Sequence, residues 1–465
     1  MLAQNQAVAE RNVVMRKKMT KDGRLRKPHR REWPGFLRRL IPDQTWRGLE
    51  RLAERGMDPR TRWSPKFIIL CWVVMGWSIQ GQLTERFREG RETLGRMFYR
   101  RRRCGGSYQG LTQATERVGV TLFHRFWILL RRTIPKRVGS AWTWFGWIVF
   151  AVDGSRVNAP RTRRNEKALG KAARDKSHPQ WWITRLIHLP TKLMWDWRQG
   201  PGNSSERAHL REMIPSLPKS SLLVGDIGFG GFDLLWQLAN GQVAFVIRCG
   251  GSSTLLVEHT RQVIERRGDV RYVYLWPQNR RRRKPLRLRL IVLKHQGKRV
   301  YLLTNVLEPT RLSRRMAGEF YRARWGIEVE YRGLKQTLGR RKVLARTPEP
   351  GAMELAANIL AMALLLLYAA LVLGAKVIRL SLAAALRVMR RAIESLRHDE
   401  PCASLLRYLR QALRDGYERH SSKRARDWPH KKNERPPGPP KLRRLIGREK
   451  RRMYAMLNHC TVENA

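Results

Sequence analysis

The sequence predicts an α/β domain with a mixed sheet, interrupted by a β-rich insertion and preceded by an all-helical, basic N-terminal domain. Three observations predict it. Before residue 144 the apolar residues recur with helical spacing. From 144 to 249 short apolar runs ending in Gly or Asp alternate with amphipathic helical segments. From 250 to 306 strand-like runs follow one another without an intervening helical pattern.

Residues 1–45 are basic and broken by Pro28, Pro34 and Pro42, so they read as an arm that orders on a phosphate backbone, if at all. Residues 46–143 carry the apolar stretch from Phe67 to Trp77, then LTERFREGRETLGRMF, then LTQATERVGVTLFHRFWILL, punctuated by Arg100 to Arg103 and a turn at Gly105-Gly106. The bland description is a helical basic domain and the functional one a DNA-binding domain. No base-reading helix can be picked out.

The texture changes at Trp144, where WFGWIVFAVDGS reads as a buried central strand. QWWITRLIHLP and TKLMWDWRQG read as a strand pair, followed by a helix (SSERAHLREMI), a strand (SLLVGD), a helix (FDLLWQLAN) and a strand (QVAFVIRC), which closes a core segment over 144–249. In 250–306 the runs VRYVYLW, LRLRLIVL and KRVYLLTNV form the insertion, separated by the basic stretch Arg280 to Lys284. The core resumes over 307–375 with a long helix from about Thr310, a plausible N-cap after Pro309, to about Leu338. A helical region over 376–418 and a basic, Pro-rich tail over 419–465 complete the chain, and PPGPP excludes regular structure there.

Composition narrows the partner. The chain has 95 Lys and Arg against 37 Asp and Glu, a formal charge of +58 that repels itself unless a polyanion neutralises it. Nucleic acid is therefore the expected partner. A short basic coat protein is the alternative, but 17 Trp and an enzyme-sized core over 465 residues favour a partner that is acted upon. Cys71, Cys104, Cys249, Cys402 and Cys460 lie far apart, with no C-x-x-C spacing, so neither a zinc site nor a disulfide framework is indicated and a reducing cytosol fits. Leu355 to Ala375 is long and apolar enough to span a bilayer. Its Ala-rich composition, Asn358 within the run and the basic flanks suit a buried core helix better than a membrane span.

Cleaving and transferring a phosphodiester with two metals requires carboxylates that hold two Mg²⁺ ions about 3.5–4 Å apart. Asp153 and Asp226 suit this role, each closing an apolar strand-like run (FAVDGS, LLVGDIGF) and each followed by small residues. Taken singly, such an Asp is more often a turn or capping residue. On the helix YRARWGIEVEYRGLKQTL, residues Tyr321, Arg324, Glu328, Arg332 and Lys335 fall on one stripe about 80° wide at about 100° per residue. An acid there can take a metal while Arg324, Arg332 and Lys335 grip a nucleic-acid backbone and Tyr321 meets a phosphate or stacks on a base. The plain alternative is an exposed face of weak ion pairs. Glu166, Asp175, Asp196, Glu206 and Asp233 lack motif support and read as surface salt-bridging residues. The Gly-rich GFGG from Gly228 to Gly231 has the wrong spacing for a phosphate-cradling loop.

The spacing Tyr321-x2-Arg324-x3-Glu328-x6-Lys335, with Trp325-Gly326-Ile327-Glu328, resembles the Y-R-E-K signature of DDE transposases of the insertion sequence 4 family. Asp153 to Ser155 and Gly225 to Phe229 resemble that family's first and second acidic motifs, and the resemblance covers roughly residues 145–370. It implies an RNase H-like mixed sheet with helices on both faces. It also implies two Mg²⁺ per active site, with Mn²⁺ as substitute, held by Asp153, Asp226 and Glu328. The substrate implied is double-stranded DNA, as transposon ends and target, gripped by Tyr321, Arg324, Arg332 and Lys335 in a dimeric synaptic complex of a bacterial cytoplasm. Release of the element through a DNA hairpin is one route open to this group. Two departures stand out. Ile227 replaces an Arg common after the second Asp, which removes a phosphate contact, and Val300, with Tyr301 beside it, falls where a relative uses Trp to catch a flipped base. Two rival readings remain: a catalytically silent DNA-binding protein derived from a transposase, and a basic protein anchored in a membrane by Leu355 to Ala375.

Overall fold

The computed structural model describes residues 29–53, 62–98, 104–170, 178–258, 269–295, 298–374, 380–398, 412 and 438–458. Most of the expected arm (1–28), Arg100 to Arg103, Asp175, Cys402, Cys460 and most of the basic tail lie outside these residues. The chain is a mixed α/β protein with one large sheet and many helices, and it divides into two compact units. One takes the described residues up to Arg137, Thr337–Arg340 and the described part of 349–415; the other takes Val138–Gln336, Arg341–Pro348 and the described part of 416–465.

The first unit is helical. Its Pro65–Trp77 and Pro348–Leu373 helices are apolar on every side, as helices buried within a core must be. They cross closely: the Trp77 indole donates to the Ala361 carbonyl at 2.8 Å, and a Cβ on Gly76 would stand 2.6 Å from that of Ala361. The 348–373 helix is long and apolar enough to cross a membrane, and 89% of its most apolar window is buried inside the protein. Its polar members are matched, Glu354 by Arg86 at 3.5 Å and Asn358 by Arg340 at 3.3 Å. The expected arm needs correction, because the chain is already helical over His29–Leu40 and Asp43–Ala53. Phe36, Leu37, Leu40 and Ile41 are buried there, an apolar stripe that the prolines do not prevent from packing.

The second unit holds a ten-stranded sheet: β1 (Ile148–Asn158), β2 (Gln180–His188), β3 (Leu193–Pro201), β4 (Ser221–Gly225), β5 (Ala244–Cys249), β6 (Thr254–Val257), β7 (Asp269–Leu275), β8 (Leu286–His295), β9 (Lys298–Thr304) and β10 (Lys441–Arg444). Their spatial order is β10-β6-β7-β8-β9-β5-β4-β1-β2-β3. β1, β4 and β5 are parallel, while β1 to β3 on one side and β5, β9, β8 and β7 on the other are antiparallel. The strands of 250–306 thus extend the sheet of 144–249 rather than standing apart from it. Val149, Leu222, Val224, Ala244 and Val246 alternate onto one face and meet Ala317, Phe320 and Tyr321 of the Arg314–Ala323 helix.

Two further expectations change. The tail is irregular only up to Pro440 among the described residues; β10 then pairs with β6, and the Gly447–Asn458 helix buries Met453 beside Leu256, Tyr274 and Trp276. Apolar residues at 442, 445, 453 and 457 supply the packing that PPGPP had obscured. The single long helix of 310–338 is three pieces, Arg314–Ala323 capped by Ser313, Gly326–Arg332, and a π-helical turn over Gly333–Thr337. The break falls where Ile327 and Glu328 donate back to the Arg324 and Trp325 carbonyls, beside a Gly that holds a helix weakly.

Candidate active site

The parallel pairing of β1 with β4 ends at Ala151 and Val224, and the two chains part beyond it. A crevice at the carboxyl ends of parallel strands is where α/β proteins place ligands. Asp226 follows β4 directly. Asp153 does not close its strand as expected: β1 runs on to Asn158 along β2, with Asp153 opposite Arg185. Both acids therefore flank the gap, one from a continuing strand and one from a turn.

The Asp226 carboxylate accepts from its neighbour's amide, Ile227 N, at 2.9 Å and from the Tyr321 hydroxyl at 3.2 Å. Packing of the Arg314–Ala323 helix on the sheet sets that phenol in place. One turn on, Arg324 is buried to 2% exposure and lies between two acids, 3.7 Å from Asp226 and 3.9 Å from Glu328. Its guanidinium also covers the rings of Tyr321 and Trp325. Lys335, on the π-helical turn, donates to Ser155 Oγ at 2.8 Å, two residues from Asp153. Tyr321, Arg324, Glu328 and Lys335 are thus gathered with Asp153 and Asp226, whereas Arg332 stays exposed, its charge felt at Glu328. Trp325 and Val329 stand exposed nearby, and Trp325 lines a groove of about 830 Å³ with Val300, Arg322 and Lys294.

Electrostatics mark the cluster. Burial, then the Asp226 charge, raises the Asp153 carboxyl above the usual range, against the pull of the Gly154 amide and Arg324. Burial also raises Glu328, and Asp153 and Asp226 add to it. Burial lowers Lys335, helped by Arg156 and Arg185. Asp153 and Glu328, each raised in part by acidic neighbours, belong to a set a cation would relieve, and oxygen-only donors suit a hard divalent ion. Among the described residues no three His, Cys, Asp or Glu side chains already enclose one point, so the donors are apposed rather than caged, with Arg324 supplying positive charge among them.

Residues 144–366 match the family model of the transposase DDE domain. This segment is a DDE transposase domain. A curated relative, the transposase InsG of insertion sequence element IS4 from Escherichia coli strain K12, is 25% identical over 221 residues, 45% of this chain. The chain spans about half of that relative's length, 49%. The DDE domain is of the insertion sequence 4 type. Among solved structures, the piggyBac transposase synaptic complex with hairpin DNA is similar at 12% identity and TM-score 0.41, covering 85% of this chain and 87% of that one. DDE transposase domains work with divalent metal ions.

Three residues escaped sequence reading. Arg248, on β5, stands 3.9 Å from Asp226 and brings positive charge where Ile227 brings none. Tyr331 ties the Glu328 helix to β1. The sequence alone reads Glu206 as a surface salt-bridging residue. Glu166 does pair with Arg161, and Asp233 with Arg280, but Asp196 is buried against Arg198 and Glu206 faces the acids of this DDE domain. No local spacing marked these three, because each depends on pairing between strands and helices distant in sequence.

Proposed function

We propose that the protein is a DNA transposase that moves an insertion sequence by cut-and-paste, with Asp153, Asp226 and Glu328 as its metal-holding carboxylates. The observation that supports this reading is Arg324 lying between Asp226 and Glu328, with Asp153 feeling the charges of Arg324 and Asp226, at the parting of β1 and β4. A relative named as a transposase of element IS4 supports the same reading. The core is read as RNase H-like, and double-stranded DNA, at transposon ends and target, as the partner, in keeping with a formal charge of +58.

Two Mg²⁺ ions, or Mn²⁺ in their place, would activate a water and then a 3′-hydroxyl and stabilise the leaving oxygen when bound there. Asp153 from within β1 and Asp226 from the turn after β4 would hold the pair, and Glu328 would close the set from its helix. Arg324 offsets the carboxylates before loading and stays as a phosphate donor. Lys335 and the exposed Arg332 grip the DNA backbone, and Tyr321 orients Asp226 through its hydroxyl. Two copies bring the two ends together in a dimeric synaptic complex, with DNA cleaved in the cytoplasm.

The test is Mg²⁺-dependent nicking of a duplex carrying the inverted repeats that flank the gene. Asp153→Ala, Asp226→Ala and Glu328→Ala each abolish nicking while duplex binding, read by gel shift, persists. A variant that nicks at the wild-type rate removes its acid from the triad. A wild-type chain that binds the duplex and never cuts it is the silent DNA-binding alternative.

A further inference from the structure

Glu206 opens the Glu206–Met213 helix, capped by Ser205, and its carboxylate makes no hydrogen bond or ion pair among the described residues. It does not point into solvent. A Cβ on Gly154, the residue after Asp153, would stand 2.6 Å from Glu206 Oε2, and a Cβ on Gly228, two after Asp226, would stand 3.0 Å from Glu206 Oε1. The carboxylate is therefore wedged between β1, next to Asp153, and the turn that bears Asp226. Any side chain at 154 would meet the Glu206 carboxylate and displace it from β1. Neither glycine has a backbone conformation that demands glycine, since neither is among the residues of positive φ. Gly228 leaves room for this acid alone, and Gly154 leaves room for it and for the Trp182 indole, 2.9 Å from the same Cβ. Arg207, the next residue, donates to the Gly228 carbonyl and locks the same helix turn onto the Asp226 loop.

Resting on the reading above, we propose that Glu206 is a fourth carboxylate of the cation site, and that Gly154 and Gly228 are glycine in order to admit it. Glu206 would hold cations from the start of its own helix, beside Gly154 and Gly228, while Glu328 reaches them from the Gly326–Arg332 helix. An oxygen donor without a partner of its own, placed beside two carboxylates that already repel it, is stable there once a divalent ion lies between them.

The experiment is Mn²⁺ titration of the purified full-length chain at fixed pH, free Mn²⁺ being read by electron paramagnetic resonance, for wild type, Asp153→Ala, Glu328→Ala and Glu206→Gln. Glu206→Gln keeps the shape and is expected to weaken Mn²⁺ binding about tenfold, alongside the losses of the other two variants. Gly228→Ala, whose Cβ would meet only Glu206, gives a smaller loss in the wild-type background and none beyond Glu206→Ala alone. If Asp153→Ala and Glu328→Ala lose Mn²⁺ and Glu206→Gln binds as wild type, the fourth carboxylate is wrong and the triad stands. If the triad variants bind as wild type, both readings fall.

Discussion

The Tyr331 hydroxyl donates to the main-chain carbonyl of Asp153 at 2.8 Å, tying the helix that carries Glu328 to the strand that carries the first aspartate. The same hydroxyl lies 3.3 Å from the Ile183 carbonyl of β2, and the Arg185 guanidinium covers its ring at 4.1 Å. The phenol is buried, which pushes its pKa up and keeps it a donor. Tyr331→Phe preserves ring and stacking and removes only the hydroxyl, so it should cost about 1–2 kcal/mol of stability, the value of a buried hydrogen bond whose acceptor is left unmet. A urea midpoint unchanged from wild type would show that this tie is not made.

Arg324 offers a second test, because it occupies the place of positive charge among the acids. Asp226 and Glu328 are 37% and 42% exposed, so solvent screens the pairs and Arg324→Met should cost only about 1 kcal/mol. The variant leaves the Asp226 and Glu328 carboxylates with only the more distant charge of Arg248, 3.9 Å from Asp226, in compensation. Mg²⁺ should therefore raise the melting temperature of Arg324→Met by more than it raises that of wild type. Equal rises in the two proteins would mean that the guanidinium and the cation do not share these carboxylates.

Much of this was legible before any coordinates. Runs such as IVFAVDG and LLVGD mark buried strands because an apolar stretch ended by Asp-Gly or Gly-Asp has few other uses, and β1 and β4 fall there. The 3.6-residue period placed Tyr321, Arg324 and Glu328 together, and all three meet at Asp226 or Arg324. What failed was continuity and distance. The helix was drawn through Trp325 because its pattern has no Pro, yet a Gly and a tightened turn suffice to break it. Arg248, Tyr331 and Glu206 reach the acids through the β4–β5, β1–β2 and helix-to-strand packing, and pairing of that kind leaves no local signature.

In the helical unit, one side chain closes a helix end. The Arg340 guanidinium donates to the Met75, Gly76 and Ser78 carbonyls at 3.3, 3.1 and 2.8 Å and lies 3.3 Å from Asn358 Oδ1. Those carbonyls end the Pro65–Trp77 helix, where no further turn can satisfy them. Burial pushes the Arg340 pKa down to about 9, against the pull of Glu354. Arg340→Met should destabilise by about 3 kcal/mol through orphaned acceptors, and Arg340→Lys should restore only part, since an ammonium has no second nitrogen to meet Asn358 Oδ1 as Arg340 Nε does. Comparable urea midpoints for Arg340→Met and wild type would rule out this capping role.

His188 sets how the protein answers acid. Its Nε2 faces the Trp142 carbonyl at 2.9 Å and so carries the proton, while Nδ1 accepts from Thr191 Oγ1 at 2.8 Å. Burial under Trp142 lowers its pKa to about 3, opposed only by the Trp142 carbonyl. In the unfolded chain the ring takes a proton near pH 6.5, and in the folded chain it resists until about pH 3. Between those values the unfolded state binds more protons, so stability is full above about pH 6.5 and falls as pH drops through the window. From pH 7 to pH 4 this one ring should account for about 3 kcal/mol, on a scale of about 1.4 kcal/mol per pH unit. Chemical unfolding of wild type and His188→Gln at both pH values measures it: the variant keeps a donor to the Trp142 carbonyl and cannot charge, so its loss on acidification should be smaller by that amount. Parallel losses in the two proteins would place the acid-sensitive group elsewhere.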